Sequence, residues 1–161
     1  MPGAIVIGAG PGIGASVARR FAREDLSVGV IARSQTTVDV TLSTLPSGVQ
    51  AQGETADAAD SGALRGALDR LVERFGVPEA LVYNAGHIRA DRIGDLTVEQ
   101  HLRTYATNVV GAVTAAAHLL PRMAEAGGGS YLLTGGMPVP VPDVTSLSLG
   151  VCHIFCVNGH G

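Results

Sequence analysis

The strongest constraint on this chain is the stretch from Ala4 to Gly14, Ala-Ile-Val-Ile-Gly-Ala-Gly-Pro-Gly-Ile-Gly. Ala4 to Ile7 is an apolar run that reads as a buried parallel strand. Gly8, Gly10, Gly12 and Gly14 make a turn directly after it. Ala15 to Glu24 then reads as a helix, with Val17, Ala18 and Phe21 on one face and Arg19, Arg20 and Arg23 largely on the other. Strand, glycine turn and helix together are the context in which such a turn binds phosphate. Glycines let the backbone approach a pyrophosphate closely, and the helix start offers free N–H groups and the positive end of its dipole. A G-x-G-x-x-G pattern starting at Gly8 fails, because its third glycine would fall on Ile13. The pattern G-x-x-x-G-x-G fits at Gly8, Gly12 and Gly14. A glycine turn with no ligand is the bland alternative, and the placement between strand and helix argues against it.

The chain has 161 residues, enough for one domain with a sizeable core. It is 46% hydrophobic and 16% charged, which excludes a disordered class. A net charge of −3 without a basic block points away from nucleic acid and anionic membranes. The apolar runs are too short to span a bilayer and the start lacks a charged signal region, so the expectation is no membrane and a cytoplasmic protein. The 11 basic residues are all arginine. Any chemistry that needs a lysine amine is therefore excluded for this chain on its own.

Ser27 to Ala32 reads as the second strand, closing a β-α-β unit. An Asp or Glu at its end would bond the ribose 2′-OH of NAD, whereas an Arg can pair with the 2′-phosphate of NADP. Here Arg33 and Ser34 follow and no acid does, so NADP is favoured over NAD. A solvated surface arginine is the competing reading. Gln35 to Leu45 is read as a short helix, Val49 to Glu54 as an edge strand, and Asp60 as the N-cap of a helix running to Phe75. That helix carries Leu64, Leu68, Leu71 and Val72 as its apolar stripe and stops at Gly76 and Pro78. Ala80 to Tyr83 is a fourth strand, ending in Asn84-Ala85-Gly86. Thr97 and Gln100 form a capping box for one long helix to about Glu125, with Pro121 expected to kink or interrupt it. Tyr131 to Thr134 is a fifth strand, and Pro138, Pro140 and Pro142 mark an extended loop. Strands alternate with helices, so the fold class is α/β: a Rossmann-type, doubly wound parallel sheet with helices on both faces. The ligand-bearing residues Gly8 to Gly14, Arg33, Asp57, Asn84 to Gly86 and Thr134 all fall at the C-terminal strand ends.

On these residues the chain resembles the short-chain dehydrogenase/reductase family from about Pro2 to Gly150. Gly8-Ala9-Gly10-Pro11-Gly12-Ile13-Gly14 is similar to its cofactor motif, Asp57 to the acid set against the adenine, and Asn84-Ala85-Gly86 to its N-A-G turn. Asn108 is similar to the helix asparagine that holds a water in the family's proton relay. The resemblance implies NAD(P)-dependent oxidation or reduction of an alcohol/carbonyl pair. If the chain forms a homo-oligomer, the resemblance implies the helix 97–125 as the element at its interface. The relay itself departs from the family. Thr134 can stand in for the serine, but counting from it the tyrosine position falls on Leu147 (Val144 in another register) and the lysine position on Val151. Neither side chain can transfer a proton, and a lysine that would lower a tyrosine pKa is absent. Tyr83, Tyr105 and Tyr131 are expected to serve core packing.

The organisation expected is therefore a dinucleotide-binding domain over 1–150, C-terminally truncated relative to the family, and an atypical tail over 151–161. Such a truncation would leave the fifth strand as a sheet edge and the long helix without a packing neighbour, favouring association. Cys152, His153, Cys156 and His160 in the tail are ligand types for zinc, but the adjacent Cys152-His153 pair makes a poor site, and no metal is assigned. His87 stands close enough to the N-A-G turn to reach a substrate, or is a loop histidine without a role. His101 and His118 are read as surface or packing residues. Three functions stay open: an NADP-binding module with a broken catalytic set, a weak oxidoreductase aided by Thr134 and Asn108, and a poorly folding fragment of a longer reductase. The substrate is not specified by these residues.

Overall fold

The computed structural model describes residues 3–88 and 95–135. The expected Pro138–Pro142 loop, the Leu147, Val144 and Val151 positions and the 151–161 tail lie outside the described residues. Five parallel strands, β1 (Gly3–Ile7), β2 (Ser27–Ala32), β3 (Ala51–Thr55), β4 (Ala80–Tyr83) and β5 (Ser130–Leu133), form one sheet in the order β3-β2-β1-β4-β5. β1 pairs with β2 from Gly3↔Ser27 to Ile7↔Ile31 and with β4 from Ala4↔Ala80 to Ile7↔Tyr83. The chain leaves β1 towards β2 on one side and later enters β4 on the other. This reversal beside β1 opens a crevice at the carboxyl ends of the strands.

Helices α1 (Ile13–Ala22), α2 (Gln35–Ser43), α3 (Ser61–Phe75), α4 (Val98–Tyr105) and α5 (Gly111–Glu125) complete the described elements, with a π-helical turn, Ala106–Val110, joining α4 to α5. Two cores cover the two sheet faces. On one, Ala18 and Ala22 of α1 and Val38 of α2 pack with Val6, Val28, Val30 and Val82. On the other, Leu64, Leu68 and Leu71 of α3 and Ala112, Ala115 and Leu119 of α5 pack with Ile5, Ile7, Ile31 and Leu81. The alternate residues of β1 and β2 thus divide between two apolar layers, which is why these strands lack a polar face. The predicted Leu64, Leu68, Leu71 and Val72 stripe is buried in full.

Local signals act as their chemistry requires. Asp60 caps α3 through its Oδ1, which accepts from the N–H groups of Gly62 (2.9 Å) and Ala63 (3.0 Å). Thr97 and Gln100 form both halves of the capping box. β3 is an edge strand, as its weaker apolarity suggested. The first helix starts two residues earlier than read, at Ile13, because Gly12 already serves as its N-cap.

Two expectations are corrected. The long helix is not one α-helix interrupted at Pro121: the α-helix carries through Pro121 to Glu125, and the break lies at the π turn Ala106–Val110. The cause is tertiary. The Tyr83 hydroxyl, rising from β4, donates to the Thr107 carbonyl and competes for an acceptor of the helical ladder. Gly111 makes the approach feasible, since a Cβ there would collide with Tyr83 Oη. Tyr105 is not a core residue either; it is 38% exposed, whereas Tyr83 and Tyr131 pack against the α3–α5 core as expected.

Candidate functional site

The crevice beside β1 is a cleft of about 560 Å³, within the size range of small-molecule sites. Its walls come from the glycine turn (Gly8, Gly10, Pro11), the end of β2 and start of α2 (Arg33, Ser34, Thr37), the loop after β3 (Asp57, Ala58) and the turn after β4 (Asn84, Ala85, Gly86). Nine sequence-predicted residues therefore meet in one cleft. Arg103 and Thr107, from α4 and the π turn, complete the wall, and they and Thr37 were not foreseen. A usable signal existed for two of them: Thr107 precedes Asn108, and Arg103 lies one helical turn before Thr107, on the same face.

The glycine turn is built by steric exclusion. Gly8 has φ +84°, and a Cβ on it would overlap the backbone of Ala85. A Cβ on Gly14 would overlap the carbonyl of Gly8, so the start of α1 can press onto the end of β1 only without one. Gly10 and Gly12, by contrast, face open space. Gly12, Ile13 and Gly14 do not line the cleft wall, and Ile13 is 62% exposed. Their contribution is through the backbone: α1 has no side-chain cap, and among the described residues no acceptor takes the N–H groups of Gly12, Ile13 or Gly14. Open space, uncommitted amides and the positive end of a helix dipole together fit a phosphate group.

The β2 end fits the rest of a nucleotide. Ser34 Oγ caps α2 by accepting from Thr37 N–H (3.3 Å), which fixes the turn that carries Arg33. Arg33 is exposed at the cleft and forms no ion pair or hydrogen bond among the described residues. Asp57 Oδ1 accepts from Ala59 N–H (3.0 Å), which orients the carboxylate at the cleft wall.

The β4–β5 end is different in kind. Asn84 Nδ2 donates to the Gly8 carbonyl (2.8 Å), and Thr134 Oγ1 donates to Asn84 Oδ1 (2.7 Å). Asn84 thus ties β1, β4 and the end of β5 together. Asn108 Oδ1 accepts from His87 N–H (2.7 Å) and its Nδ2 donates to the His87 carbonyl (3.3 Å), pinning the turn after β4 to the π turn. His87 Nδ1 lies 3.5 Å from Thr104 Oγ1. Neither Thr134, which is exposed, nor Asn108, which is half-buried, is among the residues that line the cleft. His118 and Arg122 are joined to Asp69 (2.9 and 2.8 Å) across α3 and α5, away from the cleft. Burial pushes the Asp69 carboxyl up, but the hydrogen bonds and charges of His118 and Arg122 outweigh it and hold the group below its ordinary range.

Among the described residues no helix is long and apolar enough to cross a membrane. A sequence profile of the short chain dehydrogenase family matches residues 3–137. "Oxidoreductase asL5" of Sarocladium schorii is 35% identical over 137 residues, covering 82% of this chain and 52% of that protein. The chain spans about half the length of this curated relative. A crystal structure of a substituted actinorhodin polyketide ketoreductase with NADPH has a TM-score of 0.90 at 29% identity, over 98% of this chain and 61% of the other. An NAD+-bound xylitol dehydrogenase has a TM-score of 0.89 at 23% identity, over the same shares, and is alike in fold.

Proposed function

Because the chain belongs to the short-chain dehydrogenase family, we propose that it binds NADP in preference to NAD in the cleft at the strand ends and that its catalytic set is impaired. The observation that carries the reading is the pairing of two features at one strand end. The start of α1, which follows the cleft-lining Gly8, Gly10 and Pro11, offers the uncommitted amides of Gly12, Ile13 and Gly14 for a pyrophosphate, and Arg33 offers an unpaired guanidinium on the cleft wall at the end of β2. A guanidinium fork suits a 2′-phosphate, whereas no acid stands there to take a ribose diol. The NADPH in the ketoreductase structure of similar fold supports the same choice. Ser34, Asp57 and Asn84 to Gly86 would complete the binding wall, with Gly10 and Pro11 at the pyrophosphate.

Bound there, the nicotinamide would give or take a hydride at an alcohol/carbonyl pair. The proton is the weak point. Thr134 has one hydroxyl proton, and it is directed to Asn84 Oδ1. Asn108 is held on both backbone groups of His87. The sequence has no lysine, and counting from Thr134 the family's relay positions fall on Leu147 and Val151. Loss of a positioned general acid costs about 10²- to 10⁴-fold in rate. Exposed Val98, Leu102 and Val113 support an oligomer through the helical region 97–125.

A fluorescence titration of the 161-residue chain with NADPH and NADH tests the reading. Saturation at lower NADPH than NADH concentration is expected, with no turnover of simple ketones; tighter NADH binding would overturn the choice of cofactor. A second reading, a poorly folding fragment, has one observation in its favour: Leu132 and Leu133 of β5, the outermost described strand on that side, are nearly half exposed. A cooperative thermal melt would dismiss it.

A further inference from the structure

Arg103 lines the same cleft as Arg33 but comes from α4, the segment leading into α5 on the sheet face opposite α2. Its exposed side chain has no ion-pair or hydrogen-bond partner among the described residues. The natural partner one turn earlier is Glu99, yet no ion pair joins the two among the described residues. Glu99 is engaged at the helix start instead, where its own backbone N–H and the Thr97 side chain hold its carboxyl below the ordinary range. A cation near a helix C-terminus can serve the dipole, but α4 has no such terminus. Ala106 and Gly111 keep right-handed helical angles, and the helix passes through the π turn into α5.

The charges of the cleft make the same point. The chain carries −3 overall, whereas the described residues of the cleft wall include Arg33 and Arg103 against the single acid Asp57. Outside the cleft, among the described residues, Arg20, Arg70 and Arg122 each face a carboxylate, Arg19, Arg65 and Arg74 turn to hydroxyls, a carbonyl and an aromatic ring, and Arg23 has no carboxylate partner. Two guanidiniums left without one, from two elements and in one cleft, form a wall suited to a polyanion.

We propose that Arg103 is a second anion-binding residue of the cleft, which takes phosphate charge of the dinucleotide and raises affinity for NADPH and NADH alike, while Arg33 sets the choice between them. The inference rests on the reading of the cleft as the NADP site. The test is the titration of the full chain with NADPH and NADH, at low and high salt, for the wild type, Arg103→Gln, Arg103→Lys and Arg33→Gln. Arg103 is exposed, so its variants should melt as the wild type does. Arg103→Gln is expected to weaken both cofactors about tenfold, with a shallower salt dependence, and Arg103→Lys to recover much of the loss at low salt. Arg33→Gln is expected to weaken NADPH alone. Wild-type affinities and salt dependence in Arg103→Gln would overturn the inference and leave the NADP site standing. Weakening of NADPH alone in that variant would overturn the division of roles. A wild-type chain that binds neither cofactor would instead overturn the site itself.

Discussion

The two ends of the cleft use polar groups in opposite ways. At the glycine turn, the amides of Gly12, Ile13 and Gly14 have no acceptor among the described residues, and Gly10 faces open space. At the β4–β5 end the side chains of Asn84, Asn108 and Thr134 bond to protein, joining β1, β4, the end of β5 and the π turn. One end is arranged to receive a ligand; the other is arranged to hold the sheet together. Side chains alone do not separate them, since both ends are rich in small and polar residues. The difference lies in which groups already have partners.

The largest effect should come from breaking the turn. Gly8→Ala puts a Cβ into the backbone of Ala85 at a left-handed φ of +84°. It should cost about 3 kcal/mol or more in urea denaturation. Gly10→Ala, where nothing lies within 4 Å, is the contrast. Its stability should stay within about 0.5 kcal/mol of the wild type while NADPH titration shows weakened binding. Next, Arg33→Ala should lower the preference for NADPH over NADH by roughly ten- to a hundredfold, the scale of a charged hydrogen bond, with an unchanged melt. Thr134→Val sharpens the comparison from the other side. It removes the donor to Asn84 and should cost about 1 kcal/mol of stability while leaving NADPH affinity nearly intact. A collapse of affinity there would make the β4–β5 end a binding end.

The smallest effect belongs to Asp69, remote from both ends. Its folded pKa is lowered, so the folded state holds fewer protons than the unfolded one as its carboxyl titrates. The stabilisation is therefore complete above the ordinary carboxylate range, about pH 4, and is lost as pH falls through the folded value. Melting temperature measured against pH should fall less steeply on acidification in Asp69→Asn than in the wild type.

Much of this was legible in the sequence because it is written locally. The β1 apolar run, the glycine spacing, the Asp60 cap, the Thr97–Gln100 box and the α3 stripe each specify structure within a few residues. What was not legible depends on distant partners. Nothing in Ala106–Val110 signals a π turn; Tyr83, far back on β4, imposes it through the Thr107 carbonyl. Pro121 looked like the break because proline acts locally, but helical geometry is kept there. The commitment of Thr134 to Asn84 and of Asn108 to His87 also required the sheet to bring them together. Arg103 reads as an ordinary surface arginine until α4 is placed beside the β4 turn.

An NMR titration of the 15N-labelled chain with NADPH tests the central contrast most directly. The amides of Gly12, Ile13 and Gly14 should shift most and become protected from exchange, while the Asn108 side-chain amide, held by the His87 carbonyl, stays in place. Shifts centred on Asn108 and Thr134, with the turn amides unmoved, would contradict the assignment of binding to the glycine turn.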